Sequence, residues 1–279
     1  LPAQEFWFGA WLFGGIIFLN TWDSPIYLSL FILCIWWGIR SYPLLEGIKE
    51  TLQTVIALGV AAVLLYLPWY PSFSSQLGGV LPNLIFPTWF PQFIVMFAPA
   101  FIPILGWLFM RVRDGWKPDE ALSLIGVAIG LPLFLLALSW IVATVMGIYL
   151  KATDPAFFDY GLNAMGATSI TDLLIVSLSR LWTGWTALIL GLTFAFGVLL
   201  LWRMVRSVDS GERDKPAVWP FVVMLIIIGA LLVIGPEFVY LRDQFSSRMN
   251  TIFKFYFATW ILWGLAAAFV VTTIWRWGW

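Results

Sequence analysis

Histidine is absent from the 279 residues, and cysteine occurs once, at Cys34 inside an apolar run. Without His the commonest metal ligand and the commonest proton shuttle near neutral pH are missing, and His-ligated haem or pigment is excluded with them. One Cys excludes an internal disulfide and clustered thiol chemistry. Charge is also scarce, at 11% of residues, and fifteen bases balance fifteen acids to a formal net charge of zero. No global field therefore points to nucleic acid as a partner. Any chemistry rests on Asp, Glu, Arg, Lys or Tyr. The opening "LPAQEFWFGAW" has no basic segment or small-residue cleavage site before its apolar run. It does not read as a signal peptide, and the start reads as truncated or processed.

What fills the chain instead is apolar side chain: 61% of residues, with a mean hydropathy of +0.92. Soluble domains are about half apolar and about a quarter charged, so the departure is toward a protein whose solvent is lipid. Runs such as "TVIALGVAAVLLYL", "ALILGLTFAFGVLLLW" and "FVVMLIIIGALLVIG" approach the roughly 20 residues that cross a hydrocarbon core of about 30 Å. Nineteen Trp, 24 Phe and 8 Tyr gather near the ends of these runs, as interfacial aromatic belts do.

Apolar runs read against charge and Pro/Gly breaks predict an all-α, polytopic bundle of about eight spans. They lie near residues 6–20, 24–40, 47–68, 91–111, 120–149, 181–205, 217–235 and 251–275. Pro132 is expected to disturb the fifth by removing an intrahelical bond. No repeat or long polar linker divides the chain, so residues 1–279 read as one membrane domain. Eight spans put Arg40, Lys49, Arg111, Arg113, Lys117, Arg203, Arg206, Arg213, Lys215 and Arg276 on one side. By the positive-inside rule that side is cytoplasmic, which places the polar motifs on the outer face of the cell (plasma) membrane.

One stretch breaks the avoidance of charge: "EFVYLRDQFSSRMNTIFKFY", residues 237–256. Arg242, Arg248 and Lys254 supply positive charge, and the planar fork of Arg suits phosphate oxygens. Asn250 and Lys254, four residues apart, fall on one face of the eighth helix. Glu237 and Asp243 either neutralise these bases in salt bridges or orient a substrate. An ionisable group at membrane depth marks function by default, although Lys254 can also snorkel. The turn "FLNTWDSPIYL" joins the first two spans. Asp23 there reads as a cap on the second helix with Pro25 in its first turn, or, beside Asn20 and Trp22, as a carboxylate that orients a sugar hydroxyl or coordinates a divalent cation. Residues 151–185 carry Asp154, Asp159, Asp172 and Arg180 in what reads as an outer loop with an amphipathic second half. The aromatic stretch 69–91 holds no acidic or basic residue and reads as a packed surface loop, or as a lining for a lipid chain.

"LNTWDSPIYL" together with "EFVYLRDQFSSRMNTIFKFYFATW" resembles the "YYY" integral membrane family grouped with the GT-C glycosyltransferase clan. The resemblance covers the turn at Asn20, Trp22 and Asp23, and then Glu237, Tyr240, Asp243, Arg248, Asn250, Lys254 and Tyr256. It implies a GT-C-like fold that takes a sugar from a polyprenyl-phosphate carrier at the outer face. Arg242, Arg248 and Lys254 would hold the lipid phosphate. Asp23, Glu237 and Asp243 would act as catalytic carboxylates or orient a divalent cation, with Asn20, Trp22, Tyr240, Asn250 and Tyr256 shaping the site. The chain departs from the family pattern in lacking its earlier acidic loop and its His-containing segment, so it looks like the carboxy-terminal portion. The alternative class is a structural subunit whose Trp- and Phe-rich faces pack against other membrane subunits, lipids or pigments. A transporter ranks last, for want of ionisable groups in mid-span. The geometric expectation is that the Asp23 turn and the 237–254 cluster meet at one edge of the lipid.

Overall fold

A computed structural model describes residues 2–74, 78–180, 184–209, 218–242 and 247–277. The fold is all-α and polytopic. Six helices among the described residues are long and apolar enough to cross a membrane: α3 (Leu44–Leu65), α4 (Phe90–Arg113), α5 (Pro118–Thr153), α8 (Trp185–Asp209), α9 (Trp219–Phe238) and α10 (Met249–Trp277). Two shorter apolar helices precede them, α1 (Ala3–Leu19) and α2 (Ser24–Gly38). Together they occupy the eight segments that hydropathy marks. Helix is what the lipid dictates, because only intra-segment hydrogen bonds satisfy a spanning backbone in hydrocarbon.

Two compact units divide the chain, one from Leu1–Ser75 with Leu201–Ile228, the other from Gln76–Leu200 with Gly229–Trp279. In the first, α1 packs on α3 through Ala10, Leu58 and Ala61, with Phe6, Phe13 and Phe31 around them. The small residues allow close approach. At Gly14 a Cβ would lie 2.3 Å from the Tyr66 ring, and the Tyr66 hydroxyl donates to the Trp11 carbonyl at 3.2 Å.

In the second unit, α4 packs along α10. Phe93, Phe97 and Phe101 of α4 surround the Trp263 indole, with ring centroids 5.5–6.3 Å apart. α5 runs unbroken through Pro132. At 36 residues it is about 54 Å long, well beyond the hydrocarbon core. Two short helices follow, α6 (Pro155–Ala164) and α7 (Ile170–Leu178). Each has a side-chain cap: Asp154 accepts from the Phe157 N–H at 3.1 Å, and Ser169 from the Asp172 N–H at 3.0 Å. They share a small core of Leu84, Leu162, Ala167 and Leu173 with Trp140 and Phe158 packed on it. The stretch expected as an outer loop is therefore largely helical.

The surprise is a two-stranded antiparallel ribbon, β1 (Val80–Pro82) on β2 (Val239–Leu241), in the register Val80↔Leu241, Leu81↔Tyr240, Pro82↔Val239. Bonds from Gly78 N–H to the Arg242 carbonyl and from Asn83 N–H to the Phe238 carbonyl, at 2.8 and 2.7 Å, lengthen it at both ends. It ties the aromatic stretch after α3 to the C-terminal end of α9 and so sets the geometry of the polar cluster described next.

A buried polar cluster at the end of helix α9

Glu237 lies in the last turn of α9, beside Pro236, and is completely buried. A carboxylate out of water must be paired and fully hydrogen-bonded. Three donors do this. The Thr88 backbone N–H donates to Oε2 at 2.8 Å, the Thr88 hydroxyl to Oε1 at 2.5 Å, and Arg248 forms an ion pair with Oε1 at 3.3 Å. The Thr88 hydroxyl also meets the Tyr256 hydroxyl at 3.2 Å, and the Thr186 hydroxyl donates to the Thr88 carbonyl at 2.7 Å.

The backbone at this corner is held by two further side chains. Arg180 donates to the carbonyls of Asn83 and Glu237, each at 2.5 Å, and its guanidinium lies over the Phe238 ring at 4.9 Å. Asn83 donates to the carbonyls of Phe86, Pro236 and Glu237 at 2.9, 3.1 and 3.1 Å. Carbonyls in the last turn of a helix have no intrahelical partner, and these donors supply one. Burial pulls the Arg180 pKa down to about 10 against the opposing pull of Glu237, with Arg248 adding to the fall. Arg180 thus stays charged at neutral pH. Among the described residues, two guanidinium groups against one carboxylate leave the cluster with one positive charge in excess.

Of the residues singled out in the sequence, Glu237, Arg248 and Tyr256 join this network, and the salt-bridge reading holds for Glu237 with Arg248. Tyr240 is half-buried in β2, where burial raises its pKa against the opposing effect of Arg242. Arg242 is exposed just past the strand. Asn250 and Lys254 are half-buried, one turn apart at the start of α10, as their spacing predicts. Asp243 lies outside the described residues. Asn20, Trp22 and Asp23 belong to the first unit. There the Trp22 N–H donates to the Asn20 side chain at 3.3 Å, and the Asp23 carbonyl accepts from Ile26 and Tyr27 at 3.1 Å.

One expectation is corrected: Asp23 occupies the N-cap position of α2, but its side chain makes no capping bond. Its backbone is already in the right-handed helical region, at φ −79° and ψ −24°, whereas a capping side chain works from an extended one. A second correction concerns residues 69–91. They supply a strand and two buried members of the cluster, Asn83 and Thr88, rather than a packed surface loop. Among the described residues no three of Asp, Glu, Cys and His gather into a metal-binding group.

Fold and cluster define a polytopic α-helical integral membrane protein with a charged hydrogen-bond network at one helix end. The chain belongs to the uncharacterized membrane protein family DUF2298, whose sequence pattern matches residues 3–263. No curated protein and no solved structure matches it.

Proposed function

We propose that the chain binds a phosphate group carried on a membrane lipid, with Arg248 as the primary contact and Lys254 and Arg242 as neighbours. The single observation that carries this reading is the excess positive charge of the cluster. A desolvated net cation that finds no further counter-ion among the described residues has an anion as its natural ligand. Arg248, with 18% of its side chain exposed, is the member of the pair that can be reached from outside. Lys254 follows it by six residues, at the start of a lipid-length helix. The phosphate therefore belongs on an amphiphile whose chain runs along the helices.

The sequence resemblance to GT-C transferases extends the reading to glycosyl transfer from a polyprenyl-phosphate carrier. In that reaction positive side chains stabilise the departing phosphate as its charge develops, while a carboxylate takes the acceptor proton. Glu237 is fully engaged with Thr88 and Arg248 and is a structural anchor rather than a free base. In phosphatidylcholine nanodiscs, farnesyl monophosphate should bind the wild type, and Arg248→Ala should weaken it by about tenfold or more, the scale of one charge-assisted hydrogen bond. Unchanged affinity removes the phosphate role. Excess inorganic phosphate competing as well as the lipid would assign a free anion instead.

A second reading, a subunit of a larger membrane assembly, is favoured by α5. Leu122, Ile125, Ile129, Leu133 and Ile141 all face outward along it. Purification from native membranes separates the two, since a stoichiometric partner supports a subunit and a lone chain with sugar-carrier turnover supports an enzyme.

A further inference from the structure

We infer that Glu237 is a resident stand-in for the ligand's phosphate: its carboxylate occupies Arg248 until an incoming phosphate displaces it, and so sets the affinity of the site. The inference rests on Arg248 being the phosphate contact, and it adds the regulation of that contact.

The two ends of the ion pair are held unequally. Glu237 is buried and receives Thr88 at 2.8 and 2.5 Å, while its own carbonyl is held by Arg180 at 2.5 Å. Arg248 reaches Glu237 Oε1 and the Pro236 carbonyl through a single nitrogen, both at 3.3 Å. Charge-assisted bonds of this kind usually measure about 2.7–2.9 Å. The acceptor is fixed and the donor is loose, so Arg248 is the part that moves.

The carboxylate is also a poor match for a guanidinium fork, which favours two parallel acceptors. Arg248 meets Oε1 alone and shares it with the Thr88 hydroxyl, while Oε2 accepts from the Thr88 N–H. A phosphate monoester offers several oxygens and can accept both prongs. When Arg248 turns away, Glu237 is not orphaned: Thr88 still donates to both of its oxygens, and the buried Arg180 beside it keeps the local charge balanced. Exchange of one anion for another thus costs little at the buried end of the pair.

The test compares farnesyl monophosphate affinity in nanodiscs for the wild type, Arg248→Ala and Glu237→Gln. Removing the competing charge should make Glu237→Gln bind about tenfold more tightly, on the scale of one charge-assisted bond, while Arg248→Ala binds more weakly. Glu237→Gln binding equally or more weakly, with Arg248→Ala still impaired, overturns the stand-in role and leaves the phosphate site intact. If Arg248→Ala binds like the wild type, the site itself is wrong and the stand-in falls with it. Should Glu237→Gln fail to fold, Thr88→Val provides the reading. Loss of the hydroxyl frees Oε1 for Arg248, strengthens the competitor and should weaken lipid binding; unchanged or tighter binding contradicts the inference.

Discussion

Thr88 grips Glu237 twice, its backbone N–H on one carboxylate oxygen at 2.8 Å and its hydroxyl on the other at 2.5 Å. The two residues are 149 positions apart in the chain, so this contact joins the aromatic stretch before α4 to the end of α9. Removing the hydroxyl leaves a buried carboxylate oxygen short of a donor. Thr88→Ala should cost about 1–3 kcal/mol, the penalty for an unsatisfied buried polar atom, in a reversible unfolding titration in detergent micelles. Thr186→Ala, which removes only a bond to the Thr88 carbonyl, should cost less.

Packing of α9 against α10 depends on Gly229. A Cβ there would fall 2.2 Å from Nε1 of Trp263, a fully buried indole already enclosed by Phe93, Phe97 and Phe101. The ring has nowhere to go. Gly229→Ala should destabilise by about 1–3 kcal/mol, as overpacking does. Gly264→Ala, whose Cβ meets nothing within 4 Å, should be neutral or slightly stabilising by the same titration.

The start of α7 should respond to acid. Asp172 accepts from both the Thr168 hydroxyl and the Thr168 N–H, and these bonds hold its pKa below the usual carboxylate value. A carboxylate whose folded pKa is lowered contributes stability that is present above its unfolded pKa of about 3.9 and lost as pH falls through the folded one. Amide-exchange protection at Thr168 should therefore hold near neutrality and decline below about pH 4. Asp172→Asn should abolish that pH dependence.

The orientation proposed from charge is testable by labelling. With Cys34→Ser as background, Asp159→Cys should react with a membrane-impermeant maleimide added to intact cells. Lys117→Cys should react only after permeabilisation if, as the positive-inside rule proposes, the basic ends of the spans face the cytoplasm. The reverse pattern places the cluster on the inner face.

Helices were legible because lipid enforces a coarse signal. Runs of apolar residues bounded by charge and Pro coincide with α1 to α5 and α8 to α10 within a few residues. The cluster was half legible. Glu237, Arg248 and Tyr256 stood out as polar groups in an apolar context. Asn83, Thr88 and Thr186 did not, and Arg180 was noticed only as a charge in an outer loop, because each is a single polar residue with no local motif, and what unites them is a strand pairing across more than 150 positions. A signal was nonetheless present: Asn83 and Thr88 interrupt "PNLIFPTW", and Arg180 is the one basic residue between Lys151 and Arg203. Polar atoms that sparse in a membrane protein need partners, and here they are one another's. Asp23 failed as a side-chain cap because backbone geometry, which composition does not reveal, had already turned helical.

The phosphate site is tested most directly by photo-crosslinking. A polyprenyl monophosphate bearing a diazirine beside the phosphate, irradiated with the protein in nanodiscs and mapped by peptide mass spectrometry, should label the segment from Arg248 to Tyr256. Unlabelled polyprenyl monophosphate should compete, and Arg248→Ala should lose the label. Labelling spread along lipid-facing helices such as α5, with no competition and no dependence on Arg248, would contradict the account.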